Sequence, residues 1–142
     1  NNTQKLIFIL IALEIVLTGQ LFIADLTANP ATCIAGHGCF DVQSSKFGSI
    51  LGFKVGTLGF AAFLIFAATF ILQHYNKLPK RTFLSLSILG SLGAIYFISL
   101  QLFILKQICS TCMVIDTGMI LIMLLSIFDH KKKNEHKVQK IP

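Results

Sequence analysis

Residues 109–128 read CSTCMVIDTGMILIMLLSIF, from Cys109 to Phe128. Two thiols three positions apart open a run of apolar side chains. A bilayer core is about 30 Å thick and takes about 20 residues of helix, so this run is long enough to cross it. Three further runs of the same kind lie upstream, at 6–26, 55–74 and 83–105, and the quoted one spans 110–128. Together they use most of the 142 residues, of which 54% are hydrophobic and only 13% charged. A soluble domain carries about a quarter charged residues. The expected fold is therefore all-α and integral to the membrane. It is a single domain, a bundle of four transmembrane helices. A long outer loop over 27–54 joins helices one and two and holds a short interfacial cap helix. A basic tail follows over 129–142.

The first run is too long for the apolar core of a signal peptide, Glu14 interrupts it, and no small-x-small cleavage site follows. It reads as an uncleaved helix. In the outer loop, Asn29-Pro30 and Gly36-His37-Gly38 read as turns. Phe40, Val42, Phe47, Ile50, Leu51 and Phe53 follow at helix-compatible spacing and suggest the cap. Gly48, Gly52, Gly56 and Gly59 recur about every four residues, which on a helix makes a smooth face for close packing or for a flat ligand.

The net charge of +6 does not indicate nucleic acid, because of where the charges fall. Four spans place both termini and the link between helices two and three on one side. That side holds Lys5, Lys77, Lys80, Arg81, Lys131, Lys132, Lys133, Lys137 and Lys140, nine of the 12 Lys and Arg. Only Lys46, Lys54 and Lys106 fall on the other. This asymmetry follows the positive-inside rule, so both termini are expected in the cytoplasm. The tail contacts anionic lipid at most. Both cysteine pairs, Cys33 with Cys39 and Cys109 with Cys112, then face the periplasm, another extracytoplasmic space or the ER lumen, all oxidising compartments.

Cys109 falls at a helix N-terminus, where free N–H groups and the helix dipole favour a thiolate. Cys112 lies one turn on, on the same face. Alone, a C-x-x-C is compatible with half a zinc site, a structural disulfide or a working redox pair. Zinc would use all four cysteines, or substitute His37. An oxidising compartment disfavours thiolates held for metal, so no metal is expected and the redox reading leads. Thiol–disulfide exchange needs a thiolate, an accessible sulfur and a resolving partner, and the two pairs supply them. The loop pair is flexible enough to meet a soluble protein with one thiol and Cys109 with the other. The electron sink must then reside in lipid, and a quinone suits that location.

Asp116 is four residues after Cys112 and seven after Cys109, on their face. Ionisable residues inside a span are functional candidates: Asp116 as a proton relay or hydrogen-bond partner for the quinone, or else a carboxylate satisfied by Thr117 or Lys106. Glu14 sits mid-span and suggests a buried polar pair with Gln101 or a helix-packing contact, with a place in a proton path as the alternative. Phe60, Phe63, Phe66 and Phe70 form a stripe on helix two, core or lipid-facing with some contact to a ring ligand.

With these residues in place, the chain resembles the vitamin K epoxide reductase family, specifically its bacterial thiol-oxidase branch. The resemblance covers nearly the whole length. It rests on Cys33-x5-Cys39, then Val42, Ser45, Phe47, Gly52 and Gly59, then Cys109 to Cys112. DsbB-type oxidases place the C-x-x-C first, the opposite order. The resemblance implies that Cys33 exchanges with the partner, Cys39 passes electrons to Cys109, and Cys112 faces the quinone. It also puts Ser45 and Phe47 near the site, beside Asp116, Phe60 and Phe63. Lys46 and Lys54 stand where relatives often carry proline, and Phe47 where a tyrosine is common.

The expected activity is that of a membrane thiol oxidoreductase. It would make disulfides in a separate, DsbA-like thioredoxin-fold protein and reduce ubiquinone, menaquinone or vitamin K. Reduction of vitamin K epoxide by the same relay is an alternative. A redox sensor without turnover is another, as is a structural zinc or disulfide protein.

Overall fold

A computed structural model describes residues 2–27 and 38–138, with side chains for all of these except 38–40, 133, 134 and 136–138. Cys33 and His37 lie outside the described residues, and Cys39 is described in its backbone only. The elements in order are α1 (Asn2–Thr27), α2 (Gly38–Ser44), β1 (Ser49–Ile50), β2 (Phe53–Lys54), α3 (Val55–His74), α4 (Lys80–Ser99) and α5 (Ser110–Val138). A π-helical segment, Leu100–Leu105, continues α4.

Four helical stretches are long and apolar enough to cross a membrane: Asn2–Thr27, Val55–His74, Lys80–Leu105 and Ser110–Lys132. Their outward faces carry Phe8, Ile9, Val16, Ile23, Leu64, Ile65, Leu89, Leu92 and Phe128, all exposed. Such a surface is untenable in water and natural against lipid. The chain is an integral membrane helical bundle. α1 packs chiefly on α3 and then α5, α4 packs chiefly on α5, and lighter contact between α3 and α4 closes the ring.

Three details depart from expectation. The cap helix is α2, earlier and shorter than the apolar spacing suggests, and a hairpin follows it. Ser49 pairs with Lys54 and Ile50 with Phe53 in antiparallel register. The two-residue turn puts Leu51 at φ 53 and Gly52 at φ 85, a left-handed pair that matches strand twist. Gly48 and Gly52 therefore belong to a turn and a hairpin, and only Gly56 and Gly59 sit on a transmembrane helix. Finally, α5 runs on through much of the basic tail, to Val138, because adding residues to an existing helix is far easier than starting one.

The bundle is filled at one end and hollow at the other. At the end holding the N-terminus and the α3–α4 link, Ile7, Ile11, Phe70, Phe83 and Ile122 interlock. Phe83 meets Phe66 edge-on at 5.9 Å and Phe70 at 5.4 Å. At the opposite end α1 is tied to α3 by Asp25. Its Oδ2 accepts from the Thr57 N–H at 3.1 Å and the Thr57 hydroxyl at 3.4 Å, and its carbonyl accepts from Lys54 Nζ at 2.9 Å. Lys54 occupies the N-cap position of α3 and makes no side-chain cap bond, so Asp25 performs the capping from another helix. Gly56 makes this approach possible, since a Cβ there would lie 2.6 Å from Asp25 Oδ2.

Loss of a capping side chain costs about 1 kcal/mol. Asp25→Ala is expected to lower the thermal unfolding midpoint in detergent by that equivalent, with Asp25→Asn losing less. Equal stability of the Ala variant and the unsubstituted protein would show that the contact contributes nothing.

Candidate functional site

The π-helical segment ends at Lys106, whose left-handed φ of 51 turns the chain out of α4. The chain re-enters the bundle at α5, with Cys109 in the position before its first residue. The Cys109 N–H donates to Gln101 Oε1 at 2.9 Å, and Gln101 is buried. The Cys109 carbonyl accepts the Met113 N–H at 2.9 Å, the first turn of α5. Cys109 Sγ accepts the Cys112 N–H at 3.3 Å. A sulfur thus fills the N-cap role usually taken by a Ser or Asp oxygen.

Cys109 and Cys112 are both thiols in this structure. Hydrogen bonding from the Cys112 thiol is the largest influence on Cys109 and holds its pKa below the ordinary value. Burial opposes this, and the Cys112 and Thr111 N–H groups add to the lowering. Cys109 is fully buried; Cys112 is half-buried and lines a cavity of about 270 Å³.

That cavity occupies the hollow end of the bundle. All four long helices and the α2–β1 segment contribute to it. Its wall is overwhelmingly apolar, with Phe63, Phe66 and Phe97 among the rings and Gly56, Gly59, Gly90 and Gly93 giving flat stretches. Two polar atoms on it are buried without a partner: Gln43 Nε2, a donor, and Asp116 Oδ2. A few convergent polar groups in an apolar cavity are the signature of a small-molecule site.

Of the residues singled out from sequence, Cys112, Asp116, Phe47 and Phe63 line this cavity together. Ser45 does not, as its hydroxyl donates to the Val42 carbonyl at 2.7 Å. Phe60 turns the other way and stacks on Phe22 with centroids 5.2 Å apart. Thr117 is no partner for Asp116, because its hydroxyl donates to the Met113 carbonyl at 2.7 Å. Gln101 serves Cys109, while the Glu14 carboxyl lies against Gly118 on α5. α2, which carries Cys39 in its backbone, packs against α5. Among the described residues no three His, Cys, Asp or Glu side chains converge as a metal centre requires. Gln43 and the Cys109-holding role of Gln101 escape sequence reasoning. A glutamine within an apolar run, eight residues before Cys109, was the available signal for Gln101; Gln43 had none.

A membrane bundle with a capping cysteine beside an apolar, ligand-sized cavity is the architecture of a membrane oxidoreductase. The model of the vitamin K epoxide reductase family matches residues 5–127, and the chain belongs to that family. Membership implies an integral-membrane oxidoreductase of the thiol and quinone type. No curated protein matches the chain. The cavity fits a quinone: it is apolar, it has flat stretches, and the unpartnered Gln43 Nε2 is a donor suited to a ring carbonyl.

The lowered Cys109 midpoint has a definite sign. The folded chain binds fewer protons than the unfolded one between the two midpoints, so stability rises with pH across that window and levels off above the ordinary thiol value of about 8.5. In protein with Cys33 and Cys39 replaced by Ser, thiolate absorbance of Cys109 should titrate below that value. Cys112→Ala should move the midpoint upward. An unchanged midpoint in that variant would remove Cys112 as the cause.

Proposed function

We propose that this protein is a thiol oxidase that forms disulfides in a separate thioredoxin-fold protein and delivers the electrons to a quinone. The supporting observation is the division of labour within the C-x-x-C: Cys112 lines the apolar cavity, and Cys109 is turned away from it as the N-cap of α5. This arrangement supports assigning Cys109 to exchange with the loop pair and Cys112 to an acceptor that partitions from lipid.

In this reading one thiol of the partner attacks Cys33 of a Cys33–Cys39 disulfide and releases Cys39, and the partner's second thiol resolves the mixed disulfide, leaving the partner oxidised and the loop pair reduced. The reduced loop pair then attacks a Cys109–Cys112 disulfide through Cys39 and Cys109. Cys109 is a good leaving and attacking group because its thiolate is stabilised. Two electrons and two protons remain on Cys109 and Cys112. When bound, a quinone supplies a two-electron, two-proton acceptor in the lipid phase. Gln43 Nε2 would donate to a ring carbonyl, the glycine-lined stretches would admit the ring, and Phe63 and Phe66 would exclude water. The charge asymmetry supports placing this chemistry on the extracytoplasmic side with both termini in the cytoplasm.

In detergent, with a reduced thioredoxin-fold partner and ubiquinone or menaquinone, the protein should consume quinone. Cys112→Ala should abolish turnover while leaving Cys109 able to form a mixed disulfide. Full quinone turnover in that variant would sink the mechanism. Gln43→Leu should weaken quinone binding by about tenfold, the loss of one hydrogen bond to a buried group, as read by ligand titration without turnover.

A further inference from the structure

Glu14 is a costly residue to bury in a membrane bundle. It lies twelve positions into α1, about 18 Å from the end of that helix. Only 1% of its surface is exposed, and its Oε2 has no hydrogen-bond partner. Room for it is built into α5: its Oε1 lies against Gly118, where any Cβ would collide with the carboxyl. Asp116, two residues before that glycine, lines the cavity beside Cys112 with its Oδ2 buried and unpartnered. The two carboxyl groups interact electrostatically, and Asp116 interacts in the same way with Cys112 and Cys109.

No basic side chain lines the cavity among the described residues. The other polar groups there are uncharged: Thr18, whose hydroxyl donates to the Glu14 carbonyl at 2.7 Å, Gln101 and Gln43. Nearby on α4, the Ser91 hydroxyl donates to the Met119 carbonyl at 3.3 Å. Two carboxyl groups that interact without a cation in an apolar interior cannot both carry charge, so the pair holds at least one proton.

The surroundings of Glu14 are one-sided. Toward the cytoplasmic end, the same face of α1 presents Ile11 and Ile7, and α5 presents Ile122, each at most 2% exposed. Toward the cysteine end come Thr18, Asp116 and the cavity.

We propose that Glu14 and Asp116 are a proton-holding pair serving the Cys109–Cys112 cavity, closed toward the cytoplasm by the Ile7, Ile11 and Ile122 layer and open only toward the cysteine side. The proposal rests on the thiol-to-quinone reading above. Closing the Cys109–Cys112 disulfide breaks two S–H bonds, forms one S–S bond and releases two electrons and two protons. The electrons go to the quinone, and both of its oxygens need a proton. Asp116 gives its proton to the nearer oxygen and takes one back from the thiols. A second passage moves the other proton. Each carboxyl holds a proton at rest, and Glu14 keeps its own and shares it with Asp116 while Asp116 is empty, so no isolated carboxylate is left in the interior. The pair ends as it began, and the thiols and quinone exchange protons on one side of the membrane.

Three measurements test this. Infrared spectra of the quinone-free protein should contain the C=O stretch of a protonated carboxylic acid, reduced in Glu14→Gln and in Asp116→Asn. Absence of that band, or its persistence in both variants, overturns the pair. In steady state, Glu14→Gln should slow quinone reduction by about a hundredfold, the lower end for loss of a proton-transfer group. Quinone affinity and the rate of exchange with the partner should stay within about twofold. A parallel fall in all three assigns Glu14 to structure alone. In liposomes with an entrapped pH dye, turnover driven from the cysteine side should leave the pH on the far side unchanged, and a change there overturns the one-sided opening. If the unsubstituted protein does not reduce quinone, the thiol-oxidase reading fails, and the infrared band still reports on the pair independently.

Discussion

The hydrogen bond from the Cys109 N–H to Gln101 Oε1 joins two spans where the chain leaves one and enters the next. A buried backbone donor must find a partner in a membrane interior, and here a side chain from the preceding span provides it. The consequences run in sequence. Cys109 is held as the N-cap of α5, its sulfur receives the first free N–H groups of the helix, and Cys112 is rotated onto the cavity. The cysteine pair thus completes a helix terminus with sulfur. The same hydrogen bonds that start α5 also favour the thiolate form of Cys109.

The rest of the bundle is organised around a gradient. At one end aromatic and branched side chains fill the space between helices, and at the other glycines and small residues leave it open. The open end is held in place by polar contacts at its rim, Asp25 across to α3 and Lys54 back to α1.

Much of this was legible in the sequence. The four spans follow from the bilayer's thickness and the scarcity of charge, and the expected all-α membrane bundle is the one found. The hairpin was hidden because its turn places Leu51, a residue that rarely adopts positive φ, beside Gly52. Helix rotation was also hidden. Spans that are apolar all round carry little information about which face turns inward. Phe60 and Phe63 therefore looked equivalent, yet one stacks on Phe22 and the other lines the cavity. Gln43 resembled any polar residue of a surface loop, and only tertiary packing buries its amide.

The π-helical segment from Leu100 to Leu105 carries one residue more per turn than the α-helix it continues. A residue in an α-helix advances the chain by about 100° of rotation. One extra position therefore resets the phase of whatever follows it. Removing one residue from this stretch would restore a regular helix and turn Lys106 and the entry to α5 through nearly a third of a revolution. The length of this segment, to the residue, consequently sets where Cys109 and Cys112 stand relative to the cavity.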